Sequence, residues 1–267
     1  MRNGFGYLTI HTKIAMAYNV KLIQYPNGSC QIRKYGMPIG AESNNSIEYD
    51  VEPFNGTKVR NVKEFGDAEE NLKKSIARTR SKINEYARAC SWEWFCTFTY
   101  DRTKIDRYDF KLCMSKLRKW LQNQKKYAEN LKYLAVPEFH ADGAIHAHVL
   151  LADVGRIVFD KAECPGDIYN LGGWKLGFST ATPVKDTYRI QNYISKYITK
   201  ELCLLSKHEH RYYASRNLPK PNVSVFLVEP AELSVFIMQL TDSIGVEFLY
   251  EKNVYNDYVD VTYMEYV

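Results

Sequence analysis

The sequence predicts an α+β protein, in which helices cover one side of an antiparallel sheet and β-rich extensions lie at both ends. Helical periodicity marks residues 68–89 and 108–127, while alternating apolar and polar residues mark a strand at 94–100. A turn signal inside residues 131–151 makes that stretch a hairpin, whose strands must be antiparallel. Strands separated by helices, with at least one hairpin, are typical of the α+β class.

Three regions follow along the chain. Residues 1–66 contain short β-like runs, such as residues 6–10, between Gly, Pro and Asn, and predict a β-rich N-terminal extension. Residues 67–221 hold the helices, the hairpin and a further strand near 177–184. Residues 222–267 alternate apolar and polar residues and predict a second, acidic β-rich extension.

Basic charge is concentrated in the central region. The formal net charge is +5, yet residues 222–267 carry eight acidic residues against one lysine, which leaves +12 on residues 1–221. A basic surface suits a polyanion such as DNA, although charged helix faces are also common as plain solvated surface. The candidate DNA contacts lie on the first helix and after the last helix of the core: Arg78, Arg80, Lys82, Arg211 and Arg216.

Two histidines end the hairpin. His146 and His148 are one residue apart on a strand, so both imidazoles point to the same face. The apolar run Val149-Leu150-Leu151 continues this strand into a core. Two imidazoles on a rigid strand are typical of a metal site, whereas the second such pair, His208 and His210, lies in a charged stretch and is interpreted as solvated.

The turn decides whether a carboxylate joins the histidines. If the loop is Asp142-Gly143 alone, position 138 pairs with 147 and Glu138 points away from the histidines. If the loop is Ala141-Asp142-Gly143, with Gly143 left-handed, position 138 pairs with 146 and Glu138 shares their face. The sequence leaves both registers open, together with the reading of two unrelated surface histidines.

A second cluster of chemically active side chains lies on a predicted helix from Thr187 to about Leu205. One edge of this helix, an arc of about 100°, holds two phenols and two ammonium groups: Tyr193, Lys196, Tyr197 and Lys200. An apolar stripe of Ile190, Ile194 and Ile198 adjoins it and predicts packing on a core. An ordinary amphipathic helix with snorkelling lysines is the alternative.

Three segments in this order resemble the motifs of the HUH superfamily of rolling-circle replication initiators. They are the strand Phe95-Cys96-Thr97-Phe98-Thr99, the pair His146-Ala147-His148 and the doubled YxxK of residues 193–200. The two-tyrosine form is similar to replication proteins of small single-stranded DNA phages and related plasmids. The resemblance spans residues 67–221. In relaxases, which use similar chemistry, the tyrosine precedes the histidines, and that is not the order here.

The resemblance implies a ferredoxin-like or RRM-like antiparallel sheet with the histidine pair on a central strand. It implies that Glu138, His146 and His148 hold a divalent metal, Mg²⁺ or Mn²⁺. One tyrosine, Tyr193 or Tyr197, would nick origin DNA, leaving a 5′-phosphotyrosine and a free 3′-OH, and the other would help to rejoin the strand.

The resemblance also bears on roles and partners. Lys196 and Lys200 would favour the phenolate or clamp phosphates. The expected partners are single-stranded origin DNA, a host helicase and a host DNA polymerase. A transposase or mobilisation nuclease with the same chemistry is the alternative enzyme, and a non-catalytic DNA-binding protein on the same fold is the alternative outside enzymes.

Other function classes are disfavoured by missing patterns. The sequence has no Walker A motif, so we expect no nucleotide cofactor and no helicase activity of its own. Its six cysteines form no CxxC pair, which indicates reduced thiols. We find no membrane-length apolar run and no signal-peptide pattern at the start, so we expect a cytoplasmic protein of a bacterial host without membrane contact.

Overall fold

The computed structural model describes residues 17–40, 68–186, 190, 193–198, 202, 209–256 and 259–267. Described residues within 1–61 and 221–267 form one compact unit, and those within 62–220 form a second. The strands are β1 (Tyr18–Gln24), β2 (Cys30–Ile39), β3 (Trp94–Phe98), β4 (Lys132–Phe139), β5 (Ile145–Ala152), β6 (Asp160–Lys161), β7 (Tyr169–Asn170), β8 (Ser179–Pro183), β9 (Tyr213–Ala214), β10 (Asn222–Phe226), β11 (Phe248–Asn256) and β12 (Val259–Tyr266). The longer helices are α1 (Ala68–Arg88), α2 (Phe110–Gln124) and α3 (Leu233–Ile244). The α+β class is confirmed.

The second unit is built on one antiparallel sheet in the order β6-β7-β8-β3-β5-β4-β9. The histidine strand β5 lies between β3 and β4. Every residue of β5 except His146 is buried, because the strand has neighbours on both edges and side chains packed on both faces. A strand held on all sides is a rigid platform for a functional site.

Helices pack on both faces of this sheet, which corrects the expectation that they lie on one side. Trp120 of α2 meets the ring of Phe98 at 5.0 Å, whereas Tyr193 meets the ring of Phe95 at 5.1 Å. Residues 95 and 98 are three apart on β3, so their side chains point to opposite faces. Helix α2 therefore covers the face opposite to the tyrosines. It begins at Asp109, whose carboxylate accepts the Leu112 N–H.

The first unit is a five-stranded antiparallel sheet in the order β10-β1-β2-β12-β11. The sequence indicates separate extensions at the two ends of the chain, but β1 pairs with both β2 and β10, so one sheet contains strands from both. Its core joins Val20, Leu22 and Ile32 to Ile237 of α3.

Helix α3 has no counterpart in the sequence prediction, which makes residues 222–267 strands throughout. Its sequence, LSVFIMQLTDSI, contains β-branched and aromatic residues that also suit a strand. The helix ends at Gly245, which has φ 74° and whose N–H bonds the carbonyls of Thr241 and Asp242. A left-handed glycine is the commonest helix stop, and here it is the clearest local signal of the helix.

Two further expectations concern thiols and membranes. The cysteines at positions 30, 90, 96, 113 and 164 carry free thiols, as expected, and Cys203 lies outside the described residues. Burial raises the pKa of the Cys90 thiol to about 11 and that of Cys113 to about 12, so both are poor nucleophiles. None of the helices in the described part of the chain combines the length and the apolar character needed to cross a membrane.

Candidate functional site

The hairpin adopts the register that places Glu138 with the histidines. Glu138 pairs with His146, and Val136 pairs with His148. The His140 N–H donates to the Ala144 carbonyl at 2.8 Å, which closes a three-residue loop, and Gly143 has φ 84°. The three-residue alternative is therefore confirmed. Glu138, His146 and His148 lie on one face of the sheet.

His148 is held through both of its ring nitrogens. Its Nε2 lies 2.7 Å from Glu138 Oε2, and its Nδ1 lies 3.1 Å from Thr97 Oγ1. Thr97 sits directly across from His148 on β3, and the imidazole is only 6% exposed. Because a hydroxyl can donate or accept, Thr97 can serve either tautomer of the imidazole. The ring plane of His148 is thus fixed by two neighbouring strands.

His146 has different surroundings. It is half-buried and stacks on His140, with ring centroids 4.7 Å apart. Burial and then nearby His140 lower the pKa of His146. Burial also lowers the pKa of His148, in spite of the opposing effect of Glu138. Both imidazoles are consequently neutral at pH 7, the state in which a nitrogen lone pair can bind a metal.

The tyrosine segment brings two phenols to the same face. The ring of Tyr197 stacks on the imidazole of His148, with centroids 3.5 Å apart and planes at 16°. Tyr193 lies edge-on to Tyr197 at 5.6 Å and is 42% exposed. Ile194 and Ile198 are fully buried, as the predicted apolar stripe requires, and they anchor the segment.

The cationic groups of the segment are partly described. Lys196 Nζ lies 5.2 Å from the centre of the Tyr193 ring, a cation–π contact beside the outer phenol. Lys200 lies outside the described residues, as do parts of the predicted helix of residues 187–205. The ammonium group of Lys196 is therefore the cation that the structure places at the tyrosines from this segment.

The segment is not one continuous α-helix, which corrects the prediction for residues 187–205. Residues 193–195 are helical and residues 196–197 form a turn. The N–H groups of residues 196, 197 and 198 donate to the carbonyls three positions earlier, as in a tight 3₁₀ turn. Arg80 Nη2 donates to the carbonyl of Ile198 at 2.9 Å. That carbonyl is bound by α1 just where the α-helical pattern stops.

The electrostatics at Tyr197 oppose its ionisation. Burial, then the neighbouring hydroxyl of Tyr193 and the charge of Glu138, raise the pKa of Tyr197 above its ordinary value. The phenol is protonated at pH 7 in this arrangement. A nucleophilic phenolate at Tyr197 therefore requires added positive charge near its oxygen.

The candidate DNA contacts have varied surroundings. Arg78 and Arg216 are exposed. Lys82 pairs with Glu85 at 2.9 Å, and Arg211 donates to the hydroxyls of Ser75 and Thr79 on α1. Arg80 is exposed and also bound to Ile198. At least three of these five side chains thus have structural partners beside any contact with DNA.

The donor set fits a divalent metal in its chemistry. It offers one carboxylate and two neutral imidazoles on one face, a mixed O/N set that suits Mn²⁺ and accommodates Mg²⁺. In the ranges that the structure describes, however, no three His, Cys, Asp or Glu side chains converge as a ready metal cluster. Glu138 and His148 already meet, while His146 faces His140. Binding through all three groups requires His146 to leave that stacking contact.

Sequence reasoning missed the side chains that β3 contributes. Thr97 bonds His148, and Phe95 stacks on the same imidazole at 5.7 Å while meeting both tyrosine rings. The alternation in Phe95-Cys96-Thr97 places residues 95 and 97 on one face. It does not reveal which strand lies beside them, because Thr97 and His148 are 51 positions apart.

The comparison with protein families adds an independent observation. Residues 93–202 match a family model of replication-associated proteins, those of the ORF2 and gene II protein type. This span includes Glu138, both histidines and both tyrosines. No curated protein and no solved structure matches the chain at a significant level. The match supports a role in the initiation of DNA replication.

Proposed function

We propose that this chain initiates rolling-circle replication by nicking origin DNA with a tyrosine and later rejoining the strand. The observation that carries the proposal is the stacking of Tyr197 on His148 at 3.5 Å, beside the Glu138–His148 pair. A phenol held against a histidine and a carboxylate has the parts that nucleophilic cleavage of a phosphodiester needs. The similarity of residues 93–202 to replication-associated proteins supports the biological setting.

The reaction is a transesterification. The phenolic oxygen of one tyrosine attacks the phosphorus, and the bond from phosphorus to the 3′ oxygen breaks. The product is a 5′-phosphotyrosine, and the departing 3′ oxygen takes a proton to become a 3′-OH that primes synthesis. The second tyrosine then attacks the junction that one round of replication has made. Tyr193 is open to solvent and Tyr197 is half-buried, so the two phenols differ in their access to DNA.

Glu138, His146 and His148 would hold Mg²⁺ or Mn²⁺, which supplies the positive charge that polarises the phosphate and favours the phenolate. Glu138 and Thr97 orient the imidazole of His148 through its two nitrogens. Lys196 stands beside Tyr193, where its charge favours either the phenolate or a bound phosphate.

DNA and host proteins complete the proposal. Arg78, Arg80, Lys82, Arg211 and Arg216 would contact the phosphate backbone, and Lys200 would act with Lys196 at the tyrosines. Since the sequence has no Walker A motif, a host helicase would separate the strands and a host polymerase would extend the 3′-OH.

The test uses the full chain and a library of single-stranded oligonucleotides with a randomised centre, because it requires no prior choice of origin. After incubation with Mn²⁺, covalent adducts are isolated under denaturing conditions and sequenced. The double variant Tyr193→Phe with Tyr197→Phe is expected to form none, and each single variant some. Tyr255→Phe is the matched control, since Tyr255 is 82% exposed and lies on β11 of the other unit. An adduct in the double variant, or none with the unaltered chain, would reject the proposal.

A further inference from the structure

A second cavity lies on the face of the central sheet that α2 covers, opposite to the tyrosines. Its volume is about 470 Å³, within the range of small-molecule sites. Helix α2 contributes Trp120 and Gln124, and the stretch after β7 contributes Gly173 and Lys175. None of the proposed nicking chemistry uses these side chains.

Two buried donors border the space that Gly173 leaves open. The indole N–H of Trp120 is buried and has no hydrogen-bond partner in the described part of the chain. A Cβ on Gly173 would lie 3.6 Å from that nitrogen and 3.8 Å from the amide nitrogen of Gln124. Both Trp120 and Gln124 are only 9% exposed. A buried N–H without a partner is unfavourable, so an acceptor at this position would be stabilised.

The rim adds an aromatic ring and charges. Tyr127 is 51% exposed and presents its ring at the cavity, beside the cations of Arg156 and Lys175 and the carboxylate of Asp160. The wall contains apolar Leu171. A flat, partly apolar ligand with acceptors on its edge and an attached anion matches these groups.

We propose that this cavity binds one nucleotide. The base would lie against Tyr127, with its edge acceptors facing Trp120 Nε1 and the Gln124 amide, and the phosphate would pair with Arg156 or Lys175. Asp160 can accept from an amino group of the base. A free nucleotide and one residue of a DNA strand share this chemistry. The inference does not depend on the tyrosine reaction, because the cavity lies on the other face of the sheet.

The test measures binding of the four deoxynucleoside 5′-monophosphates to the full chain by titration calorimetry without metal. At least one is expected to bind at a single site, more tightly than inorganic phosphate. Gly173→Ala is expected to weaken binding by about tenfold or more, since its methyl group shields both donors at ordinary contact distances. Thermal unfolding of the variant should match that of the unaltered chain.

A second variant keeps the test decisive if Gly173→Ala folds poorly. Lys175→Gln should weaken the monophosphates but not the matching nucleosides, whereas Lys126→Gln, with the same charge change on an exposed residue outside the cavity, should alter neither. The proposal is overturned if no monophosphate binds, if inorganic phosphate binds equally well, or if binding survives in the variants. Equal loss in Lys126→Gln overturns it as well, because only general charge would then be at work.

A further arm identifies the source of the nucleotide. Short single-stranded DNA is titrated into the double tyrosine variant, which lacks both phenols, with and without Gly173→Ala. Weaker DNA binding in the presence of Gly173→Ala assigns the cavity to a DNA strand, and unchanged DNA binding assigns it to a free nucleotide. Both results support a nucleotide site, and neither depends on adduct formation, so failure of the nicking proposal would be recognised separately.

Discussion

Replacing Thr97 by valine removes one hydroxyl that holds the imidazole of His148. Valine has nearly the shape of threonine, so the main loss is the 3.1 Å contact between Thr97 Oγ1 and His148 Nδ1. One such hydrogen bond contributes about 1 kcal/mol net, and an unsatisfied nitrogen on a buried ring costs about 1–3 kcal/mol. We expect the free energy of unfolding to fall by about 1–2 kcal/mol. Loss of a group that orients a metal ligand typically weakens metal binding or activity by about 10–100-fold.

The assay is the rate of covalent adduct formation on a cleavable oligonucleotide as Mn²⁺ is varied, with urea unfolding measured in parallel. Thr97→Val should raise the Mn²⁺ concentration at half-maximal rate by about tenfold or more, because the ring of His148 is no longer fixed. The matched control is Thr180→Val, the same change at the residue that pairs with Thr97 on β8. An unaltered Mn²⁺ dependence in Thr97→Val, or an equal shift in Thr180→Val, would refute the reasoning.

Three other predictions concern the support of the site. Arg80→Gln should slow adduct formation at saturating DNA by about tenfold, since the segment below the tyrosines loses a 2.9 Å hydrogen bond, whereas Arg78→Gln should change DNA affinity alone. The pKa values of His146 and His148 are lowered in the folded chain, so the unfolded chain binds more protons: stability is complete above about pH 6.5 and falls on acidification, and urea unfolding should show a smaller fall when both are Gln. Gly143→Ala should cost about 1–2 kcal/mol of stability because φ is 84°, and it should reduce adduct yield by shifting the hairpin register; an unchanged register by NMR together with reduced yield would contradict this cause.

The local parts of the site could be predicted from sequence. Alternation on β5 places His146 and His148 on one face, and the Asp142-Gly143 turn limits Glu138 to two registers. The choice between them depends on the bond from His140 to Ala144, which composition does not reveal. The apolar stripe of Ile194 and Ile198 is likewise visible as helical periodicity.

The missed parts depend on contacts between residues far apart in the chain. Thr97 reaches His148 across 51 positions, and Arg80 reaches Ile198 across 118, so neither the hydrogen bond to the imidazole nor the break of the tyrosine helix has a local signal. Helix α3 escapes prediction for another reason: its β-branched residues favour strands as strongly as helices, and packing on β1 and β2 decides. The placement of α2 on the opposite face also follows from packing rather than from the pattern of any one element.

The most direct test of the central claim is peptide mapping of the covalent adduct by mass spectrometry after reaction with single-stranded DNA and Mn²⁺. The account predicts that the DNA is joined through phosphate to Tyr193 or Tyr197, and that His148→Ala prevents the linkage while the variant still binds DNA. A linkage at any other residue, or full adduct yield in His148→Ala, would contradict it.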